Sequence, residues 1–444
     1  MGTGSLFIEP HIVVLDGCLA RDFVLTVGHV GRRVMRWDEL TWAVAQLGAR
    51  EHYAVARGLH ADGRLDRMYT DFWAHPACRV LARRSDRLSR MCTRWHPDLP
   101  RDRVSSFPLH TLYKIVSKPS VQKSPIARLQ TAWYRSGQLF ASSVARDLRR
   151  RGLTRPGRCG FFGYSIGSLE ALELAAECGM LGVVDQMDAG RAHFAETAKE
   201  AELWPGWAQH PGPSSEEYFD RIRREWSAAS LVVVNSQWSK QAAVREGCAE
   251  SKIAVIPLAY EGEAVGAPRV VENRDRCLHV LWLGRVDLGK GIPYLIEAAR
   301  MLPHVRFTVA GGIAVNPARM ATVASNVTIL GQVNRESAQR LYSRADVFVL
   351  PTLSDGFAIT QLEAMAHGLP VIATNRCGEV VTDSQDGFLV PVRDAFALAR
   401  AISRIDDDRE LLSAMSERAL RTAQRFTVQR YVRELESAVR AVSA

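Results

Sequence analysis

No stretch of this sequence is long and apolar enough to cross a bilayer: its hydrophobic runs are strand-sized, against the roughly 20 residues a membrane helix needs. Near the N-terminus, Leu6-Phe7-Ile8 and Ile12-Val13-Val14-Leu15 are separated by Glu9, Pro10 and His11, so no signal peptide is expected. The eight cysteines, from Cys18 to Cys377, show no C-x-x-C spacing. That argues against a zinc site or disulfide framework and for reduced thiols in a cytoplasm. No aromatic-interleaved basic platform accompanies the net charge of +9, so nucleic acid is not an expected partner. The one acidic cluster resembling a metal-binding D-x-D, Asp406-Asp407-Asp408, precedes a charged helix and reads as a cap. No metal is expected.

What is present suits a globular protein. With 444 residues, 47% hydrophobic and 24% charged, the chain is long for one core and comfortable for two domains of about 200 residues. The positive charge concentrates between Arg79 and Arg103, where eight arginines face three aspartates. This segment is either a solvated helix face or a contact for an anionic membrane surface or acceptor.

Strand-like runs alternate with helical periodicity, which predicts α/β architecture with two doubly wound parallel sheets. Residues 1–38 form an extension of undetermined role, and 39–257 make an N-terminal domain. Within it, 40–46 reads as a strand, 51–60 as a helix, 67–73 as a strand, 126–151 as a helix and 159–164 as a buried strand. Residues 258–277 lack apolar periodicity and read as a linker. The rhythm restarts over 278–426 as a C-terminal domain. A last helix over 427–444 carries Val428, Tyr431, Val432, Leu435 and Val439 on one stripe, apolar enough to pack back toward the first domain.

Two patches in the second domain carry chemistry. Gly284-Arg285-Val286-Asp287-Leu288-Gly289-Lys290-Gly291 places two cations in a glycine-rich turn directly after an apolar run. Asp355-Gly356-Phe357-Ala358-Ile359-Thr360-Gln361-Leu362-Glu363 places two carboxylates on either side of a strand-to-helix turn. Cations and free backbone amides suit a diphosphate, Arg285 as a planar fork and Lys290 as a point charge. Glu363, one turn into the helix, suits sugar hydroxyls. The structural alternative is that Asp355 caps the helix and Glu363 is solvated, but the apolar neighbours of Glu363 make an unpaired charge there costly.

Over 278–391 the chain resembles the family four glycosyltransferases. The resemblance rests on Leu283-Gly284-Arg285, Lys290-Gly291, Val309-Ala310-Gly311-Gly312, Leu330-Gly331-Gln332-Val333 and Asp346-Val347-Phe348-Val349-Leu350-Pro351, and on an E-x7-E-like pair, Asp355 and Glu363. It implies a GT-B fold, two Rossmann-like domains facing a cleft, and a retaining, metal-independent transfer of a hexose. The donor would be a nucleotide diphosphate sugar, UDP or GDP, serving as co-substrate, with no cofactor. The acceptor would be a hydroxyl, lipid-linked or on a polysaccharide, met at the inner face of a membrane or in the cytoplasm. By the same resemblance, Gly284, Arg285 and Lys290 hold the diphosphate, Val333 the base and Glu363 the ribose. Asp355 and the backbone of Gly356, Phe357, Ala358 and Ile359 would face the sugar and phosphates. Asp355 departs from the family's usual glutamate. Asp188 stands where many relatives have histidine, either as a catalytic group or as a turn cap. Arg50, His52, Tyr164 and Ser165 are acceptor-side candidates. A phosphorylase, an epimerase or an inactive sugar-nucleotide-binding partner are the alternative readings.

Overall fold

In a computed structural model of the protein, residues 37, 40–74, 92, 94–107, 125–208, 214–262, 268, 276–321 and 323–443 are described. The N-terminal extension and most of the arginine-rich segment lie outside them, at residues 1–36 and 75–91.

Among the described residues, the first sheet comprises β1 (Thr41–Gln46), β2 (Leu65–Thr70), β3 (Val104–Ser106), β4 (Cys159–Tyr164), β5 (Gly182–Gln186), β6 (Leu231–Val234) and β7 (Ile253–Val255). Its order is β3-β2-β1-β4-β5-β6-β7, every pair parallel. The second comprises β8 (His279–Leu283), β9 (Arg306–Ala310), β10 (Val327–Gly331), β11 (Val347–Leu350), β12 (Val371–Ala373) and β13 (Gly387–Leu389). Its order is β10-β9-β8-β11-β12-β13, again parallel throughout.

Parallel neighbours need crossovers, and helices supply them. In the first lobe these are α1 (Ala54–Ala61), α2 (Pro125–Arg150), α3 (Leu169–Glu177), α4 (Arg191–Leu203), α5 (Glu216–Ala228) and α6 (Gln237–Arg245). In the second they are α7 (Ile292–Met301), α8 (Pro317–Met320), α9 (Arg335–Arg344) and α10 (Thr360–Ala366), and α11 (Ala395–Asp407) and α12 (Arg409–Ala423) follow the last strand. The last described element is α13 (Val428–Ser443). Among the described residues no helix is long and apolar enough to cross a membrane.

Burial follows the strand alternation. Trp42, Val44, Phe162 and Val183 form one core with α1 and α13, while Phe161, Val184, Phe140 and Trp226 form another on the opposite face. All six residues of β4 are buried, as a central parallel strand covered on both faces requires. Strand order reverses between β1 and β4 and between β8 and β11. Crevices that collect ligands form at such reversals, beyond the carboxyl ends of the strands.

Three details shape the crevice. After β1, Glu51, His52 and Tyr53 have φ of 46°, 46° and 64°, so a left-handed turn replaces the helical start expected at 51. It is held by Gln46 Nε2 donating to the Arg50 carbonyl at 2.7 Å and by Gly48 N donating to Asp71 Oδ1 at 2.9 Å. Non-glycine residues persist there only under such outside constraint. Second, α4 runs out of the first lobe, and Trp207 beyond it is buried in the core of the second with Val286 and Val315. Third, α13 returns to the first lobe: Tyr431, Val432, Leu435 and Val439 are buried there, Val432 over Gly58 of α1, where a Cβ would lie 2.5 Å away. Where the chain passes between lobes, Tyr260 N donates to the Phe426 carbonyl at 2.7 Å, tying the two passages together.

Candidate functional site

The second-lobe half is built on glycines. Beyond β8, Gly284 packs backbone to backbone against Gly311, where φ is 142° and a Cβ would sit 1.6 Å from the Gly284 carbonyl oxygen. Asp287 Oδ1 accepts from Lys290 N at 2.9 Å and closes a single 3₁₀ turn, and Gly291, at φ 72°, then starts α7. This turn presents Lys290 to the loop after β11, where its ammonium pairs with Asp355 Oδ2. Burial alone would pull the Lys290 pKa down; the charge and hydrogen bond of Asp355, with Asp287, overcome it and raise it. Lys290 is therefore a firm cation. Arg285 stands apart from this pair: its side chain is 67% exposed, with Nε 3.7 Å from Asp287.

Asp355 N donates to the Arg376 carbonyl at 2.8 Å and Ala358 N to that of Cys377 at 3.0 Å. The amides of Gly356, Phe357 and Ile359 meet no acceptor among the described residues. Glu363 is half-buried and accepts from Tyr342 Oη at 2.9 Å, and Tyr342 stacks on His367 with ring centres 5.2 Å apart. Val333, also half-buried, directly precedes Asn334, whose side chain caps α9.

The first-lobe half meets it at Gly356. A Cβ there would lie 2.0 Å from the Met187 carbonyl oxygen and 2.9 Å from Asp188 Cα, so the loops of Asp188 and Asp355 touch through their backbones. Asp188 Oδ1 accepts from Gly190 N at 2.8 Å and Gln186 Nε2 at 3.2 Å, closing the turn before α4. Its Oδ2 has no partner among the described residues. His52 Nε2 lies 3.2 Å from Arg335 Nη1, two residues past Val333. Burial, then the cations of Arg335 and Arg57, lower the His52 pKa, leaving a neutral ring that accepts from the guanidinium. Arg50 is exposed.

Tyr164 does not face an acceptor. It is 3% exposed and packs edge-on against Phe162 inside the core, which corrects its assignment to the acceptor side. Ser165 is 6% exposed, in a loop nailed down by Glu225, which accepts the amides of Ile166, Ser168 and Leu169 at 2.7, 3.0 and 3.1 Å.

Two parallel α/β lobes that meet at the carboxyl ends of their sheets recur in solved structures. HepE of Anabaena in complex with UDP has a TM-score of 0.55 at 17% identity, over 90% of this chain and 99% of that one. Sucrose-phosphate synthase from Thermosynechococcus elongatus has 0.58 at 19%, over 90% and 98%. The fold is GT-B. Residues 277–408 match the family model of Glycosyl transferases group 1. The amylovoran biosynthesis glycosyltransferase AmsK of Erwinia amylovora is 27% identical over 207 residues, 43% of this chain and 51% of that protein. The chain spans about half the length of the curated relatives it matches.

The junction between these GT-B lobes contains residues that the sequence motifs do not single out. His193 Nδ1 lies 3.1 Å from the Ser354 carbonyl oxygen, and Trp238 Nε1 donates to Ser354 Oγ at 3.0 Å. The Arg376 guanidinium sits 3.7 Å over the Trp238 ring. Glu379 accepts Gln237 N at 3.1 and 3.2 Å, capping a first-lobe helix with a second-lobe carboxylate. Farther along, buried Glu200 of α4 accepts from Tyr294 Oη at 2.8 Å and Arg393 Nε at 2.6 Å. The one local sign of this junction in the sequence is Ser236, an N-cap whose side chain accepts from Ser239 N.

Proposed function

We propose that the protein is a retaining hexosyltransferase that moves a sugar from a nucleotide diphosphate sugar to an acceptor hydroxyl in glycan or polysaccharide biosynthesis. The observation that carries this reading is the Lys290–Asp355 pair at a crevice whose other wall is the Asp188 loop. A uridine nucleotide is favoured by HepE, which holds UDP in a fold like this one. A glycan product is favoured by AmsK, named for amylovoran biosynthesis.

In this mechanism the diphosphate sits on Lys290, Arg285 and the amides of Gly356, Phe357 and Ile359, with Val333 at the base and Glu363 at the ribose. As the bond from the anomeric carbon to the phosphate oxygen breaks, the negative charge that grows on the diphosphate would be stabilised by these donors, the kind of effect that contributes most in many enzymes. The acceptor oxygen attacks on the face the phosphate leaves, and its proton passes to the departing phosphate. Asp355 orients the sugar, and Asp188 offers its free oxygen to the developing positive charge. The cations meet the electrostatic need of the leaving group, so transfer is expected to survive a chelator.

A panel of UDP, GDP and ADP sugars tests the reading by thermal shift, because a ligand that binds only the folded form at 100 times its Kd adds about 2.7 kcal/mol. One nucleotide sugar should raise Tm and, with an acceptor, yield glycoside. Free sugar phosphate, or isomerised donor without an acceptor, would point to a phosphorylase or epimerase instead. Binding with no turnover across a broad acceptor panel would make the protein a sugar-nucleotide-binding partner.

A further inference from the structure

A cavity of about 190 Å³ opens on the second lobe between the turn before β13 and the end of α12. It lies at the amino end of β13. The donor-site candidates follow the carboxyl ends of β8 and β11, so in a parallel sheet the cavity is on the opposite edge. Arg418 and Arg421 of α12 and Arg425, two residues past its end, line it together with Thr382 and Gln385. The carboxylate in its wall, Asp386, is 2% exposed and already committed: Oδ1 accepts Thr382 N and Oδ2 accepts Thr422 Oγ1, both at 2.7 Å.

Some helical arginines elsewhere in this protein are matched by a carboxylate three or four residues away, as Arg300 is by Glu297, Arg340 by Glu336, Arg430 by Glu434 and Arg440 by Glu436, while others such as Arg135 and Arg245 are exposed with no carboxylate partner among the described residues. Around the cavity only Arg421 follows that pattern, with Glu417. Arg418 and Arg425 have no carboxylate partner among the described residues and reach only the Gln385 carbonyl and the Thr422 hydroxyl, each at a long 3.4 Å. The α12 terminus favours one cation through its dipole. It does not account for three that converge, since like charges at this spacing repel. An anion between them would remove that repulsion, and guanidinium forks match a phosphate in a two-bond geometry.

We infer that this cavity is a phosphate-binding site separate from the donor crevice, taking a phosphate group through Arg418, Arg425 and the Thr382 hydroxyl. Calorimetric titration with inorganic phosphate at constant ionic strength tests it. The titration is run in a Lys290→Ala background so that the donor crevice does not contribute, with a melting curve to confirm folding. That protein should bind phosphate, and adding Arg418→Gln and Arg425→Gln should weaken binding on the order of tenfold or more. Absence of binding in the Lys290→Ala protein, or equal affinity after the arginines are replaced, overturns the inference. Co-sedimentation with phosphatidylglycerol and phosphatidylcholine vesicles then separates the sources. Arginine-dependent capture by the anionic vesicles alone supports a lipid headgroup; phosphate binding without capture supports a soluble phosphate-bearing ligand.

Discussion

Lys290 and Asp355 neutralise each other, so a diphosphate arriving in the crevice must compete with a carboxylate for the ammonium. The two residues should therefore separate in substitution. Lys290→Ala removes the cation and strands Asp355; transfer should fall on the order of 10²–10³-fold, measured as kcat/KM with the donor varied. Asp355→Asn frees the ammonium, so UDP should bind at least as tightly by calorimetry while transfer falls. Tighter UDP binding with transfer intact would remove Asp355 from the sugar. Arg285, largely exposed, should cost less when replaced by Ala, about tenfold. Asp188→Asn keeps the oxygen that closes the turn before α4 and changes only the charge. Unchanged kcat in that variant would restrict Asp188 to holding its turn.

Among elements, the loops around Gly356 set how the lobes meet. A methyl at that position has backbone on its other side, 2.0 Å from the Met187 oxygen, and cannot be absorbed by a side-chain shift. Gly356→Ala should destabilise by roughly 1–3 kcal/mol, read as a lower urea midpoint, and should lower kcat more than donor affinity. The same elements show what could be read from sequence. Strand β4 falls on the residues expected, 159–164, because an apolar run between polar boundaries has one reading in a parallel sheet. The glycine and charge spacing around 284–291 and 355–363 likewise pointed to one crevice. Helices α4 and α6 left no comparable trace. Among the residues of α4 only Glu200 is buried, and it is matched by Tyr294 and Arg393, nearly a hundred or more positions away. A helix whose partners lie in another lobe need not carry an apolar stripe of its own. The turn at 50–53 misled for a different reason, since its left-handed backbone is imposed by Gln46 and Asp71 and not by its own residues.

For the whole molecule, the buried Asp185 and the half-buried Glu51 tie stability to pH. Burial raises Asp185 from 3.8 to about 7 despite bonds from Tyr431 and Asn235 and the nearby Arg50. Burial and Asp185 raise Glu51 from 4.5 to about 8. The native protein thus keeps protons that the unfolded chain has released. The stability these groups contribute is complete below about pH 4 and is lost as pH rises through 7 to 8. Asp185→Asn still accepts from the Tyr431 hydroxyl but cannot ionise, so urea midpoints from pH 4.5 to 8.5 should decline less steeply than in the parent. An unaltered slope would assign that pH dependence to other groups.

The return of α13 to the first lobe also orders events during synthesis. The first lobe cannot seal one face of its sheet until the sixteen residues of α13 have left the ribosome. Nascent chains should therefore stay open to proteases through most of translation. A stop codon before Val428 should first damage the lobe farthest from it in sequence, exposing Gly58 and its neighbours while the diphosphate seat is still intact.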